Sequence, residues 1–277
     1  MSLTSHGGRI GALTVIGTAI VLPLVIFVLG PNMPPGDWTN AGKSQVFDNT
    51  VLLAVMTPFT VFILVYIGYA VTMFRAKPDE ELRDGPPIRG HFVSQVVWLV
   101  TTTAAVLFLA IFGSAELFAS NGSGGGSGPN PIATPGGNVL PVQVIGQQWE
   151  FTYRYPTYGG VETAELMLPV NTEIEFHVTS LDAIHSFWAY QLGVKADANP
   201  GVDNIAFVKP TKVGAFQVRC AELCGIWHGY MFDTGHVVQS SQFASWIKQQ
   251  RQAFSAVQRY LPNYATTYSP DPVARAG

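Results

Sequence analysis

Cys220 and Cys224 are the only two cysteines in 277 residues, and they sit in a stretch, CAELCGIWHGYM, whose other side chains are chemically capable too. His228 follows the second cysteine by four residues and Met231 follows the histidine by three. Two chemistries fit. In an oxidising compartment two cysteines usually pair, although a disulfide here would close a loop of only a few residues and remove little unfolded-state entropy. It would also leave His228 and Met231 without a role. A metal accounts for all four, because thiolate and thioether sulfur select copper and imidazole suits it as well. A further ligand is expected from a neighbouring strand end, and TSLDAIHSFW supplies His185. Two thiolates with two imidazoles fit two coppers bridged by both sulfurs, whereas a single blue copper needs one cysteine. The compartment decides between the readings, and the surrounding elements set the compartment.

The chain is unusually apolar, with 48% hydrophobic and 12% charged residues and a mean hydropathy of +0.24. Net charge is −3, and no basic run points to nucleic acid. No Asp, Glu, Lys or Arg occurs between Arg9 and Asp37, between Asp48 and Arg75, or between Arg89 and Glu116. Each gap is long enough to cross a bilayer as a helix, which takes about 20 residues. The link after the second gap carries Arg75, Lys77, Arg83 and Arg89, while the stretch from Pro31 to Thr50 carries only Lys43. Basic loops stay in the cytoplasm, so everything after Phe118 is expected on the opposite, oxidising side. The first apolar run has the flanking arginine of a signal peptide. It is long for one and lacks a small-x-small cleavage site, which favours a retained helix.

After the third span, the glycine-, serine- and proline-rich stretch Asn121 to Asn138 predicts a tether. Strand-like alternation follows. VQVIGQQWEFTYRYP, EIEFHVTS, NIAFVKP, GAFQVRC and TGHVVQ are strand candidates separated by turn residues. They predict an antiparallel sandwich or barrel. SSQFASWIKQQRQAFSAVQ then puts Phe243, Trp246 and Ile247 on one helical face. The expected organisation is an apolar segment and linker at 1–50, a transmembrane hairpin at 51–118 and a linker at 119–138. An all-β domain at 139–247 and a tail at 248–277 complete it.

The pattern Cys-x-Glu-x-Cys-x3-His-x2-Met resembles the dinuclear CuA loop of cytochrome c oxidase subunit II. SLDAIHSFWAYQLGVKADANPG is similar to the histidine-bearing segment of that family, and GQQWEFTYRYP to its aromatic strand. The similarity runs from about Val51 to Ile247 and includes the helical hairpin before the β-domain. Nitrous oxide reductase and some nitric oxide reductases share the loop, but not that hairpin.

The resemblance implies a cupredoxin-like sandwich behind its membrane helices. It implies that Cys220 and Cys224 bridge two coppers, that His185 and Met231 complete one, and that His228 with the Glu222 carbonyl completes the other. The Glu222 side chain would hold magnesium or manganese against subunit I. Electrons would arrive from a c-type cytochrome at Trp149, with Glu150 and Asp182 as docking acids, and leave for haem in subunit I. Subunit III is a further implied partner, oxygen reduction with proton pumping the implied activity of the whole, and a bacterial cytoplasmic membrane with the β-domain in the periplasm its place. The haems would belong to the partner, since this chain has no Cys-x-x-Cys-His.

Many relatives carry glutamate where this sequence has Gln95, which cannot ionise and so implies a different proton entrance. His177 and His236 read as ordinary strand side chains and His91 as interfacial, while Met33, Met56, Met73 and Met167 lack ligand spacing. A membrane-anchored copper carrier and a metal-free disulfide domain are the alternatives.

Overall fold

The computed structural model describes residues 5–33, 36–75, 90–119, 139–258 and 260. The chain divides into two units, Met1–Met33 with Phe47–Glu116, and Pro34–Val46 with Leu117–Gly277.

The first unit is helical. α1 (His6–Leu24) continues through a wider turn at Val25–Leu29 and a tighter one at Gly30–Asn32. It runs antiparallel to α2 (Asn40–Met73), since His6 Nδ1 lies 2.8 Å from the Tyr69 hydroxyl while Gly30 lies against Thr50 at the other end. Midway, a Cβ on Gly17 would stand 2.8 Å from Val61 Cγ1. Small residues of this kind let helices approach closely where lipid gives no hydrophobic drive. α3 spans Phe92–Ala119. Among the described residues, three segments are long and apolar enough to cross a membrane: His6–Asn32, Asn40–Met73 and Phe92–Glu116. The positions of Lys77, Arg83 and Arg89, and the tether at 121–138, lie outside the described residues.

Two expected boundaries fall inside helices. α2 already begins at Asn40 rather than 51, because Thr39 Oγ1 accepts from Gly42 N at 2.9 Å and caps the polar first turn. The cut at 247 falls within α4 (Ser240–Gln258).

The second unit is a sandwich of two five-stranded sheets. Its strands are β1 (Val139–Gln147), β2 (Glu150–Tyr155), β3 (Val161–Thr163), β4 (Met167–Pro169) and β5 (Glu173–Ser180). β6 (His185–Ala189), β7 (Val194–Ala198), β8 (Asn204–Val208), β9 (Gly214–Cys220) and β10 (Phe232–Val238) follow. One sheet has the order β3-β2-β1-β5-β8 and the other β4-β10-β9-β6-β7.

The sandwich is mixed, which corrects the antiparallel expectation. β1 pairs with β5 in parallel, Val142 opposite Phe176, and β4 with β10, Leu168 opposite Val237. After β2 and β3 the chain crosses to the second sheet for β4 and returns to the free edge of β1, which forces the parallel pairing. Alternation along a strand reports which face is buried and says nothing of the neighbour's direction.

Inward residues follow period two. Ile174, Phe176 and Val178 of β5 are fully buried and meet Val142, Val144, Tyr153, Phe187, Phe216 and Val218 in one core. α4 covers the sandwich with Phe243 and Ile247, and Trp246 packs edge-on to Tyr155 with centroids 5.4 Å apart.

Residues 36–46 complete this unit as a clasp. Trp38 N donates to Gln191 O at 3.2 Å, and Trp38 O accepts from Thr211 N at 2.7 Å. Thr39 Oγ1 donates to Leu192 O and Gln45 Nε2 to Gly193 O, each at 2.7 Å. Asp37 pairs with Lys212 at 2.5 Å.

Candidate metal centre

The loop from Cys220 to Met231 joins β9 to β10 and is closed at its base by Cys220 N donating to Met231 O at 3.0 Å. Ala221 N donates to Ser186 O at 2.9 Å, which holds the loop against β6 and the histidine that opens it. The His185 segment is a tight turn of its own, with Ser180 Oγ donating to Ala183 O at 2.5 Å and accepting from Asp182 N at 3.2 Å.

These two loops bring five side chains together. His185 Nδ1 lies 3.8 Å from Cys220 Sγ, and the two sulfurs are 3.7 Å apart. Cys224 Sγ lies 3.5 Å from His228 Nδ1 and 3.7 Å from Met231 Sδ. Glu222 O approaches Cys220 Sγ at 3.2 Å. His185, Cys220, Cys224 and Met231 are buried, and His228 is half-buried. His185, Cys220 and Cys224 form a possible metal site among the described residues, their donor atoms all within 4.8 Å of one another. A disulfide bond is about 2.05 Å long, so the sulfurs are unbonded, and both cysteines are free thiols.

Burial pushes the Cys224 thiol up from its ordinary range, and the adjacent Cys220 sulfur pushes it the same way. Asp182 shows the opposite balance. Its partial burial raises the carboxyl, but hydrogen bonds from His185, Gln148 N and Ala183 N outweigh that and hold it low.

The remaining expected residues lie around this cluster. Trp149 is half-buried, and its Nε1 donates to Cys224 O at 3.2 Å. Glu150 is exposed and accepts from Gln147 Nε2 at 2.9 Å, and the Glu222 carboxylate is exposed. Asp182, assigned by sequence to a docking rim, places Oδ1 2.9 Å from His185 Nε2 and takes Gln148 N on Oδ2 at 2.7 Å. The carboxylate accepts from Nε2–H and so leaves Nδ1 with its lone pair on the Cys220 side.

The strand histidines lie elsewhere: His177 sits between Asp203 at 2.8 Å and Glu175 at 3.2 Å, and His236 is 4.0 Å from Glu165. Sequence reasoning missed Gly146 and Gln148. The Asp-x-x-His spacing was the available signal for the role of Asp182.

A cupredoxin-like β-sandwich with a buried cysteine, histidine and methionine cluster between its loops, preceded by apolar helices, defines the class. The family model described as cytochrome C oxidase subunit II, periplasmic domain, matches residues 161–240. Cytochrome c oxidase subunit 2 of Thermostichus vulcanus is 31% identical over 245 residues, covering 84% of this chain and 71% of the relative. The Synechocystis protein of the same name is 25% identical, covering 94% and 90%. The crystal structure of the periplasmic domain of subunit II from Bradyrhizobium japonicum is 35% identical and covers 42% of this chain and 95% of that one, with a TM-score of 0.40. The chain belongs to the cytochrome c oxidase subunit II family.

Proposed function

We propose that this chain is the electron-receiving subunit of a respiratory haem–copper oxidase. It would take electrons from a c-type cytochrome at a dinuclear copper centre and pass them to haem in subunit I, with subunit III as a further partner. The observation that carries the reading is the unbroken set of donor contacts from His185 through Cys220 and Cys224 to His228 and Met231, each between 3.5 and 3.8 Å. Two thiols, a thioether and two imidazoles are a soft donor set that fits copper better than the hard-oxygen metals. Cys220, Cys224, His185, His228, Met231 and the Glu222 carbonyl would together hold the copper.

A copper pair sharing one unpaired electron supplies a one-electron relay. The chain's own residues do the rest. Asp182 fixes the His185 tautomer, the closed base of the Cys220–Met231 loop resists rearrangement, and burial excludes water. Trp149, bonded to the Cys224 carbonyl, is the gateway for electrons. The exposed Glu222 carboxylate would bind magnesium or manganese against subunit I. The β-domain would face the periplasm of a bacterial cell, with oxygen reduction and proton pumping in the assembled complex.

Copper titration of the full chain, purified alone in detergent, tests the reading. Uptake of two coppers with a purple colour and a seven-line EPR hyperfine pattern is expected. A blue one-copper spectrum, or a stable Cys220–Cys224 disulfide in copper-replete protein, would overturn it.

A further inference from the structure

The β1–β2 turn, Gly146 to Trp149, touches both candidate ligand loops, although neither is its neighbour in sequence. On the histidine side, Gly146 O accepts from Leu181 N at 3.0 Å. The His185 ring lies over Gly146 so closely that a Cβ there would stand 3.1 Å from its Cδ2. Gln148 adds a second tie, since its backbone N donates to Asp182 Oδ2 at 2.7 Å while Asp182 Oδ1 holds His185.

On the cysteine side the Gln148 side chain reaches across. Its Nε2 donates to Cys224 O at 2.9 Å, alongside the longer bond from Trp149 Nε1 to the same oxygen. The seat for both donors is kept open by Gly225, which has φ +120. A Cβ at Gly225 would stand 3.1 Å from Gln148 Nε2 and 3.2 Å from Trp149 Nε1, with the added strain of a side chain in that backbone region.

We infer that Gln148 is a positioning residue that locks the His185 loop and the Cys220–Met231 loop to one another through the β1–β2 turn. Gln148 is exposed, so its side chain contributes little to the core. Its amide is nevertheless held on the backbone of a buried cysteine, and its own N–H is held by the carboxylate that orients His185. One residue thereby ties together the segments that carry His185 and Cys224, which are distant in the chain. The functional consequence rests on the copper reading above, whereas the lock itself does not.

The test uses the full chain in detergent with two substitutions. Gln148→Glu keeps the shape and replaces the donor with an acceptor facing a carbonyl, and Gln148→Lys keeps a donor. In metal-free protein, Gln148→Glu should raise backbone amide exchange in residues 181–185 and in 220–231 together, with unchanged exchange in the core strand β5. Gln148→Lys should restore wild-type exchange. With copper added, Gln148→Glu should speed copper loss to a chelator by about tenfold or more, the scale on which partners of metal ligands act, and shift the thiolate-to-copper absorption. Unchanged exchange in either loop, or equal disturbance by both substitutions, would overturn the lock. If wild-type chain takes up no copper while both loops still loosen in Gln148→Glu, the copper reading fails and the lock stands.

Discussion

Asp182 Oδ1 lies 2.9 Å from Nε2 of His185, on the edge of the imidazole opposite the nitrogen that faces Cys220. The carboxylate is partly exposed, so sequence alone suggests a surface acid waiting for a basic partner. Both its oxygens are engaged inside the protein, by His185 and Ala183 N on one and Gln148 N on the other. Under the proposed function, steering of a basic cytochrome would then fall more on Glu150, which remains exposed.

Asp182→Ala should accordingly act on the metal rather than on docking. Copper affinity is expected to fall about 10- to 100-fold, with the salt dependence of reduction by cytochrome c nearly unchanged. Competition against a chelator, alongside reduction rates at several ionic strengths, separates the two. Intact copper binding with a flattened salt dependence would return Asp182 to the docking rim.

Trp149→Phe removes the indole donor to Cys224 O and keeps an aromatic ring in a half-buried position. Reduction of the copper centre by cytochrome c should slow about tenfold or more, equivalent to at least 1.4 kcal/mol in the barrier. The copper spectrum and cytochrome affinity should change little. Stopped-flow reduction measures this, and an unchanged rate would make Trp149 a packing residue.

Thr39 caps the turn at Gly42 and holds the 36–46 strip on the sandwich with one buried hydroxyl, accepting from Gly42 N and donating to Leu192 O. Loss of the cap and of a buried hydrogen bond should together cost about 1–3 kcal/mol in Thr39→Ala. Thr39→Ser, which keeps the hydroxyl, should unfold near the wild-type temperature. Thermal unfolding of the two variants in the same detergent makes the comparison.

The raised Cys224 thiol gives a pH dependence with a definite sign. Above the ordinary thiol value of about 8.5, the unfolded chain loses this proton while the folded metal-free chain keeps it. The unfolded state then binds fewer protons, so stability falls as pH rises through that window. Metal-free protein should show this loss, and Cys224→Ser should reduce it. Copper binding requires thiolates, so uptake should release protons and tighten with rising pH near neutrality. Chemical unfolding across the alkaline range, with and without copper, reads both effects.

The gathering of candidate ligands was legible because Cys220, Cys224, His228 and Met231 lie within one loop and carry ligand chemistry in their side chains. His185 was reachable because it opens a strand after a turn. The inward faces of β5 and β9 were legible from period two alone. The parallel pairing of β1 with β5 was not, since strand direction depends on the path between strands. Gln148 and Gly146 were silent for another reason: their roles rest on the contacts of Gln148 with Asp182 and the Cys224 carbonyl, and of Gly146 with Leu181 and the ring of His185, and a glutamine in a turn looks the same whether or not it has them. Thr39 was hidden likewise, since its partner Leu192 offers only a carbonyl.

The clasp formed by residues 36–46 sets an order in time. Thr39 and Leu192 are 153 positions apart, and Asp37 and Lys212 are 175 apart. Ribosomes add roughly 5–20 residues per second, so this strip waits on the order of ten seconds for the segments that receive it. During that interval Trp38 lacks its bonds to Gln191 and Thr211, and Thr39 keeps only its local cap on Gly42 and Lys43. The receiving segments, at Gln191–Gly193 and at Thr211 and Lys212, are made before the Cys220–Met231 loop. A nascent chain stalled before Gly214 therefore already carries Gln191, Leu192, Gly193, Thr211 and Lys212 and could close the clasp, but not the Cys220–Met231 loop.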